Sequence, residues 1–380
     1  MQIILYIISI FSFFLTGSLQ FIGLSVTTSS YVLILVISLV MLSIFLVKKE
    51  LTINSYLIIN FFLILWIVIS AITNRTNPLL VVNYFSYVII PVAIYFLVKS
   101  NSKDLFKLSF LINLIVIIQL PVLCLQYFLP DYTLYSHKVI ASIDRMFGTF
   151  PLSSDHFLSF FLILNILYIG VKKSTLTFFN YFIIIYSILC ISLTNSVTSY
   201  LFLISTLVFI FFLRSNLYVK CSFAIISVIG LIFLYFNIYE FLDLLQKPEL
   251  LDMTNISSIE DGTAGRFQTF YYIFSKQLSI FGNGPSSYFN PLMGGFQLNA
   301  NFSQIIWFYY DLGFVGVILL VLLIVSYLYS FKISNHMRIY LFILVFAYAF
   351  SSTILDQAVF LLTLNIFVFM FENQEKKLYL

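Results

Sequence analysis

The chain has 380 residues, of which 61% are hydrophobic and only 9% charged, with a formal net charge of +4. Soluble domains carry roughly 25% charged residues, so there are too few charges here to clothe a water-exposed surface. The mean hydropathy of +1.05 agrees, and a water-soluble globular fold is excluded. No segment shows the period-two alternation of a membrane β-barrel, which leaves helices as the spanning structure.

Apolar runs of about 17–25 residues mark candidate spans. In chain order they fall near 3–22, 29–47, 53–72, 79–98, 106–128, 156–171, 177–193, 198–213, 219–238, 305–330, 339–356 and 358–371. The first run has no basic flank and no small-residue cleavage site, so it reads as a retained helix rather than a signal peptide. The expected fold is an all-α polytopic integral membrane protein with about twelve transmembrane helices in a single domain over 1–380. Thirteen of the 19 Lys and Arg residues then lie in one set of connections and six in the other. By the positive-inside rule, the richer side and both termini are cytoplasmic.

Two outer connections stand out by length: a medium loop over 129–155 and a large loop over 239–304, between the ninth and tenth spans. Connections beyond about 15 residues are uncommon unless functional or disordered, and the large loop is neither low in complexity nor highly charged. Within it, Ser257-Ser258-Ile259-Glu260 has capping-box spacing. Phe267, Tyr271, Phe274 and Leu278 follow on one face of an amphipathic helix, and Gly282-Asn283-Gly284-Pro285 ends it.

The chain has only five arginines. Arg145 lies in the medium loop and Arg266 in the large one, both on the outer side. A guanidinium is always charged and grips phosphate with two parallel hydrogen bonds. The pair therefore suggests a site for an anionic, lipid-linked substrate. Arg145 fits a headgroup-facing interfacial arginine equally well, and Arg266 could lie on a solvated helix face. The outer loops hold nine acids against six cations, so they form no broad field for polyanions and make nucleic acid a poor partner.

Those acids supply candidate general bases. Asp155-His156, at the start of the sixth run, could take a proton from an attacking hydroxyl; an N-cap role for Asp155 is as strong a reading. Asp311 sits inside the tenth run, where an acid is either functional or a hydrogen-bond hub. Asn301, Gly282 and Gly284 complete the candidate substrate-binding set. The three cysteines lie in apolar runs and the three histidines are scattered, so no metal or other cofactor is expected.

Three segments together resemble the superfamily of O-antigen ligases and Wzy-type repeat-unit polymerases. Arg145–Phe150 resembles its Arg-x-x-Gly-Thr-Phe stretch. Gly265-Arg266 followed by Phe281-Gly282-Asn283-Gly284 resembles the arginine-to-glycine pattern of its large loop. Asp311-Leu312-Gly313-Phe314-Val315-Gly316 resembles the Glu-x-Gly opening of its next helix. The ligase His-Asn pair is missing, with Asn299-Ala300-Asn301 in its place, and the ligase Ser-Arg reads Ser196-Val197.

The resemblance therefore implies a polymerase of O-antigen or capsule repeat units in the bacterial cytoplasmic membrane. Its partner would be undecaprenyl-diphosphate-linked oligosaccharide, with a chain-length regulator as a further candidate. The implied reaction is a metal-independent glycosyl transfer with Arg145 and Arg266 on the two lipid diphosphates. A ligase is the alternative within enzymes. A lipid-linked oligosaccharide flippase is the alternative among transporters, although the sequence has no internal repeat and few midplane charges.

Overall fold

The computed structural model describes residues 10, 13, 54–100, 105–128, 146–150, 155–171, 176–194, 196–216, 280–287, 303–355 and 357–376. Among these residues the regular structure is helical. The helices are α1 (Ser55–Thr73), α2 (Pro78–Ser100), α3 (Leu105–Phe128), α4 (Asp155–Val171), α5 (Phe178–Leu193), α6 (Val197–Arg214), α7 (Gln304–Tyr329), α8 (Asn335–Ser351) and α9 (Ala358–Lys376). The expected runs near 3–22, 29–47 and 219–238, and the amphipathic stripe from Phe267 to Leu278, lie outside the described residues.

The helix boundaries follow local chemistry. Asn54 caps α1 by accepting the Leu57 N–H at 3.0 Å, as a side chain at that position does for an orphan donor. Asn74 ends α1, its backbone N–H returning to Ser70 O at 3.0 Å. Pro78 opens α2, where its missing N–H costs nothing. Thr177, Ser196 and Ser303 cap α5, α6 and α7 in the same way as Asn54.

The expected architecture of about twelve spanning helices is overturned. Among the described residues four helices are long and apolar enough to cross a membrane: Ser55–Thr73, Pro78–Lys99, Leu108–Phe128 and Gln304–Tyr329. These make it a membrane-embedded protein with more than one span. Three further runs taken as spans form helices of 17, 16 and 18 residues, α4, α5 and α6. At about 1.5 Å rise per residue their apolar length falls short of a hydrocarbon core of about 30 Å.

The last run forms α9, and its apolarity has another cause. Residues 358–371 are buried among other helices on every side, and its final turn carries Glu372, Glu375 and Lys376. A helix buried in protein and a helix bathed in lipid have the same composition. The repeat-unit polymerase inferred from the longer bundle is overturned with it, as are its ligase and flippase alternatives. Among the described residues the helix count and packing do not supply the ten or more spans on which that mechanism depends.

The core is organised around α9, which packs on α2, α3 and α4; α7 packs on α1 and α8, and α4 on α5 and α6. Aromatic rings form much of this interior. Phe160 stacks on Phe360 with ring centroids 4.2 Å apart, and Phe331 meets Phe369 edge-on at 4.6 Å. Such pairs add about 0.5–1.5 kcal/mol beyond area burial. Loops are tied in by side chains: Gln304 Oε1 accepts the N–H groups of Ile354 at 3.1 Å and Leu355 at 3.2 Å. Glu375 accepts the Ser334 N–H at 2.8 Å.

Candidate functional site

Two stretches of non-helical backbone are clamped into the bundle, and both coincide with segments singled out in the sequence. Residues 146–150 lie against α3. The Gln126 amide forms a two-way pair with Gly148, donating to its carbonyl and accepting its N–H, each at 2.9 Å. One face along the helix, Gln119 accepts the Thr149 N–H at 3.0 Å and donates to its hydroxyl at 2.7 Å. Gly148 has φ +60, and a Cβ there would collide with the Gln119 amide. Arg145, immediately before this clamp, lies outside the described residues.

The second stretch, residues 280–287, docks where α7 breaks. Gly313 has φ 70 and ψ −166 inside that helix, a conformation essentially confined to glycine. The Asn283 and Gly284 N–H groups donate to Tyr310 O at 3.0 Å and Asp311 O at 2.9 Å. Trp66 stacks on Phe281 with centroids 5.4 Å apart and donates its Nε1–H to Leu312 O at 2.9 Å. The Ser70 hydroxyl donates to Phe281 O at 3.0 Å.

The Asp311 side chain fastens this joint. It is fully buried, at 0% exposure. Its Oδ2 accepts the Trp307 Nε1–H at 2.6 Å and the Ser286 N–H at 2.9 Å, and its Oδ1 accepts the Ser287 hydroxyl at 2.9 Å. Three donors on one buried carboxyl group compensate its removal from water.

Gly282, Gly284 and Asp311, chosen from the sequence as substrate-binding, are thus brought together. Gly282 approaches the Asp311 backbone so closely that a Cβ would collide with its carbonyl oxygen. Gly284, at φ +99, leaves no room for a Cβ beside the Thr76 hydroxyl. Arg266 and Asn301 lie outside the described residues.

His156 is placed elsewhere, at the end of the bundle where α4 and α6 begin. Its Nδ1 lies 3.2 Å from Ser196 Oγ. Ser196 is 5% exposed and also caps α6, accepting the Ser199 N–H at 3.4 Å. A turn along α4, the Ser159 hydroxyl lies 3.3 Å from that of Thr194. Asp155 is the first residue of α4, beside His156 in the chain.

Several residues of these arrangements were not picked out from the sequence: Trp66, Ser70, Gln119, Gln126, Ser196 and Trp307. Polar groups interrupting apolar runs were the available signal, and both tryptophans of the chain belong to the Asp311 joint. Among the described residues no cluster of three or more His, Cys, Asp or Glu side chains could share a metal ion. No protein-family model matches the chain, and no curated protein matches it.

Proposed function

We propose that the protein is a membrane-embedded glycosyltransferase-type enzyme with His156 as its general base. The observation that supports this is the 3.2 Å contact between His156 Nδ1 and Ser196 Oγ at one end of the bundle. A base needs a third group to fix its ring, and Ser196 is suited to that task. Its hydroxyl also accepts the Ser199 N–H as a helix cap, which holds it in place as an orienting group in this reading. In the tautomer with the proton on Nδ1, that proton is donated to Ser196 and the Nε2 lone pair serves as the base.

The reaction in this reading removes a proton from an acceptor hydroxyl as its oxygen attacks a lipid-linked glycan. The bond from sugar to lipid phosphate breaks, and no metal is required. The membrane is the bacterial cytoplasmic membrane in the same proposal. An amphipathic donor suits a site at the end of an apolar bundle, where its lipid stays in the bilayer and its head meets the helix ends.

The test uses lipids extracted from cells lacking the protein, incubated with purified protein in liposomes and followed by mass spectrometry. Wild type is expected to convert a lipid-linked glycan. His156→Ala should slow that conversion by about 10²–10⁴-fold, the usual contribution of a positioned base, and Ser196→Ala should slow it less. Conversion by His156→Ala at the wild-type rate would remove the base assignment. No conversion by wild type would remove the enzyme.

A further inference from the structure

Among the buried side-chain atoms of the described residues that lack a hydrogen-bonding partner, three lie on α1, α7 and α9: Asn60 Oδ1, Tyr327 Oη and Asn365 Oδ1. Asn60 on α1 is 3% exposed and Asn365 on α9 is 1% exposed. The Nδ2 of each donates back to its own helix, to Tyr56 O and to Leu361 O, both at 2.8 Å. Those bonds fix the amide orientations, because only the NH₂ end can donate to a carbonyl. Each Oδ1 is left buried with nothing to accept from, and the Tyr327 hydroxyl is likewise buried without a partner.

Ring contacts give the relative heights of these groups. Tyr56, near the start of α1, lies 5.1 Å from Tyr95 and 5.4 Å from Tyr327 between ring centroids. Tyr95, near the end of α2, is also 6.3 Å from Phe369, late in α9. The start of α1 thus meets the ends of α2, α7 and α9. Asn60 lies one turn onward from Tyr56, and Asn365 one turn back from Phe369, so both step in the same direction through the bundle. Tyr327 leans the same way, since long helical side chains tilt toward their helix N-terminus. All three groups therefore lie at about one height in the bundle.

We propose that these four helices enclose a binding site for one ordered water molecule. Its two O–H groups donate to Asn60 Oδ1 and Asn365 Oδ1, and its oxygen accepts the Tyr327 hydroxyl. Two acceptors and one donor are the complement of one water, and buried waters typically make about three such bonds. A metal ion fits less well. It offers the Tyr327 hydroxyl nothing to donate to. The inference is independent of His156.

Radiolytic hydroxyl-radical footprinting in oxygen-18 water, on the full protein in nanodiscs, tests it. Water held inside generates radicals in place, so Tyr56, Tyr95 and Tyr327 should be oxidised despite their burial. In the Asn60→Leu/Asn365→Leu variant that oxidation should be lost, down to the level of Phe160 and Phe161 in the core. Tyr327→Phe, a smaller change that keeps the ring, should reduce it at Tyr56 and Tyr95. Wild-type tyrosines no more oxidised than Phe160 would mean a dry site and overturn the proposal, as would undiminished oxidation in both variants. Oxidation that changes when potassium replaces choline in the buffer would assign an ion instead.

Discussion

Gly313→Ala is expected to prevent the protein from reaching its folded state, and Gly282→Ala to do nearly the same. The two glycines face each other across the α7 break. A Cβ on Gly313 would strike the Ile280 carbonyl oxygen, and one on Gly282 would strike that of Asp311. Both obstacles are backbone atoms already committed to the joint and cannot swing aside. The Gly313 conformation alone costs alanine about 1–3 kcal/mol, before any collision is counted. Total stability of a native protein is only about 5–15 kcal/mol, so the sum removes much of it. Size-exclusion profiles of detergent-solubilised variants measure this directly. Ile318→Ala, on the same helix but 42% exposed, is the control that should elute as wild type. A monodisperse, wild-type-like Gly313→Ala peak would show that the break is not required.

Asp311→Ala should loosen the joint without dismantling the bundle. The substitution strands three donors, the Trp307 indole N–H, the Ser286 N–H and the Ser287 hydroxyl. Each buried donor without a partner costs about 1–3 kcal/mol, so a loss of about 3 kcal/mol or more is expected. Trp307→Phe removes one of the three donors to the buried carboxyl group and leaves the other two, and should cost less, about 1–3 kcal/mol. The measurement is unusually specific, because the chain has two tryptophans and both touch this joint. Tryptophan emission should shift to the red in Asp311→Ala as water reaches the indoles. It should stay unchanged in variants of the Gln119 and Gln126 clamp. An unshifted spectrum in Asp311→Ala would mean that backbone contacts alone hold residues 280–287 in place.

The legible part of the sequence was the part set by local chemistry. The positions of the apolar helical runs followed from hydropathy, and Gly282-Asn283-Gly284-Pro285 carries its turn in its composition, whereas the caps at Asn54, Ser196 and Ser303 were seen only in the structure. Asp311 announced itself because an acid in an apolar run demands partners. The identity of those partners was not legible: Trp307 is one turn away, but Ser286 and Ser287 are brought in by a segment some 25 positions earlier. The span count failed for a related reason. Hydropathy records that a residue avoids water, not whether lipid or protein surrounds it. Phe360, Phe367 and Met370 therefore scored like lipid-facing residues although α9 is enclosed. His156 could be seen as a titratable group at a helix start. Its pairing with Ser196, forty residues away, depends on how α4 and α6 pack.

The enclosure of α9 also has a consequence for how the molecule is made. Ribosomes deliver the chain from its N-terminus, so α2, α3 and α4 leave the tunnel before the helix that packs on them. During that interval the surfaces of α2, α3 and α4 destined for α9 must be held by lipid or by the insertion machinery. Final assembly is therefore a late event in synthesis, and a ribosome stalling before residue 358 would leave α2, α3 and α4 without the helix they pack against.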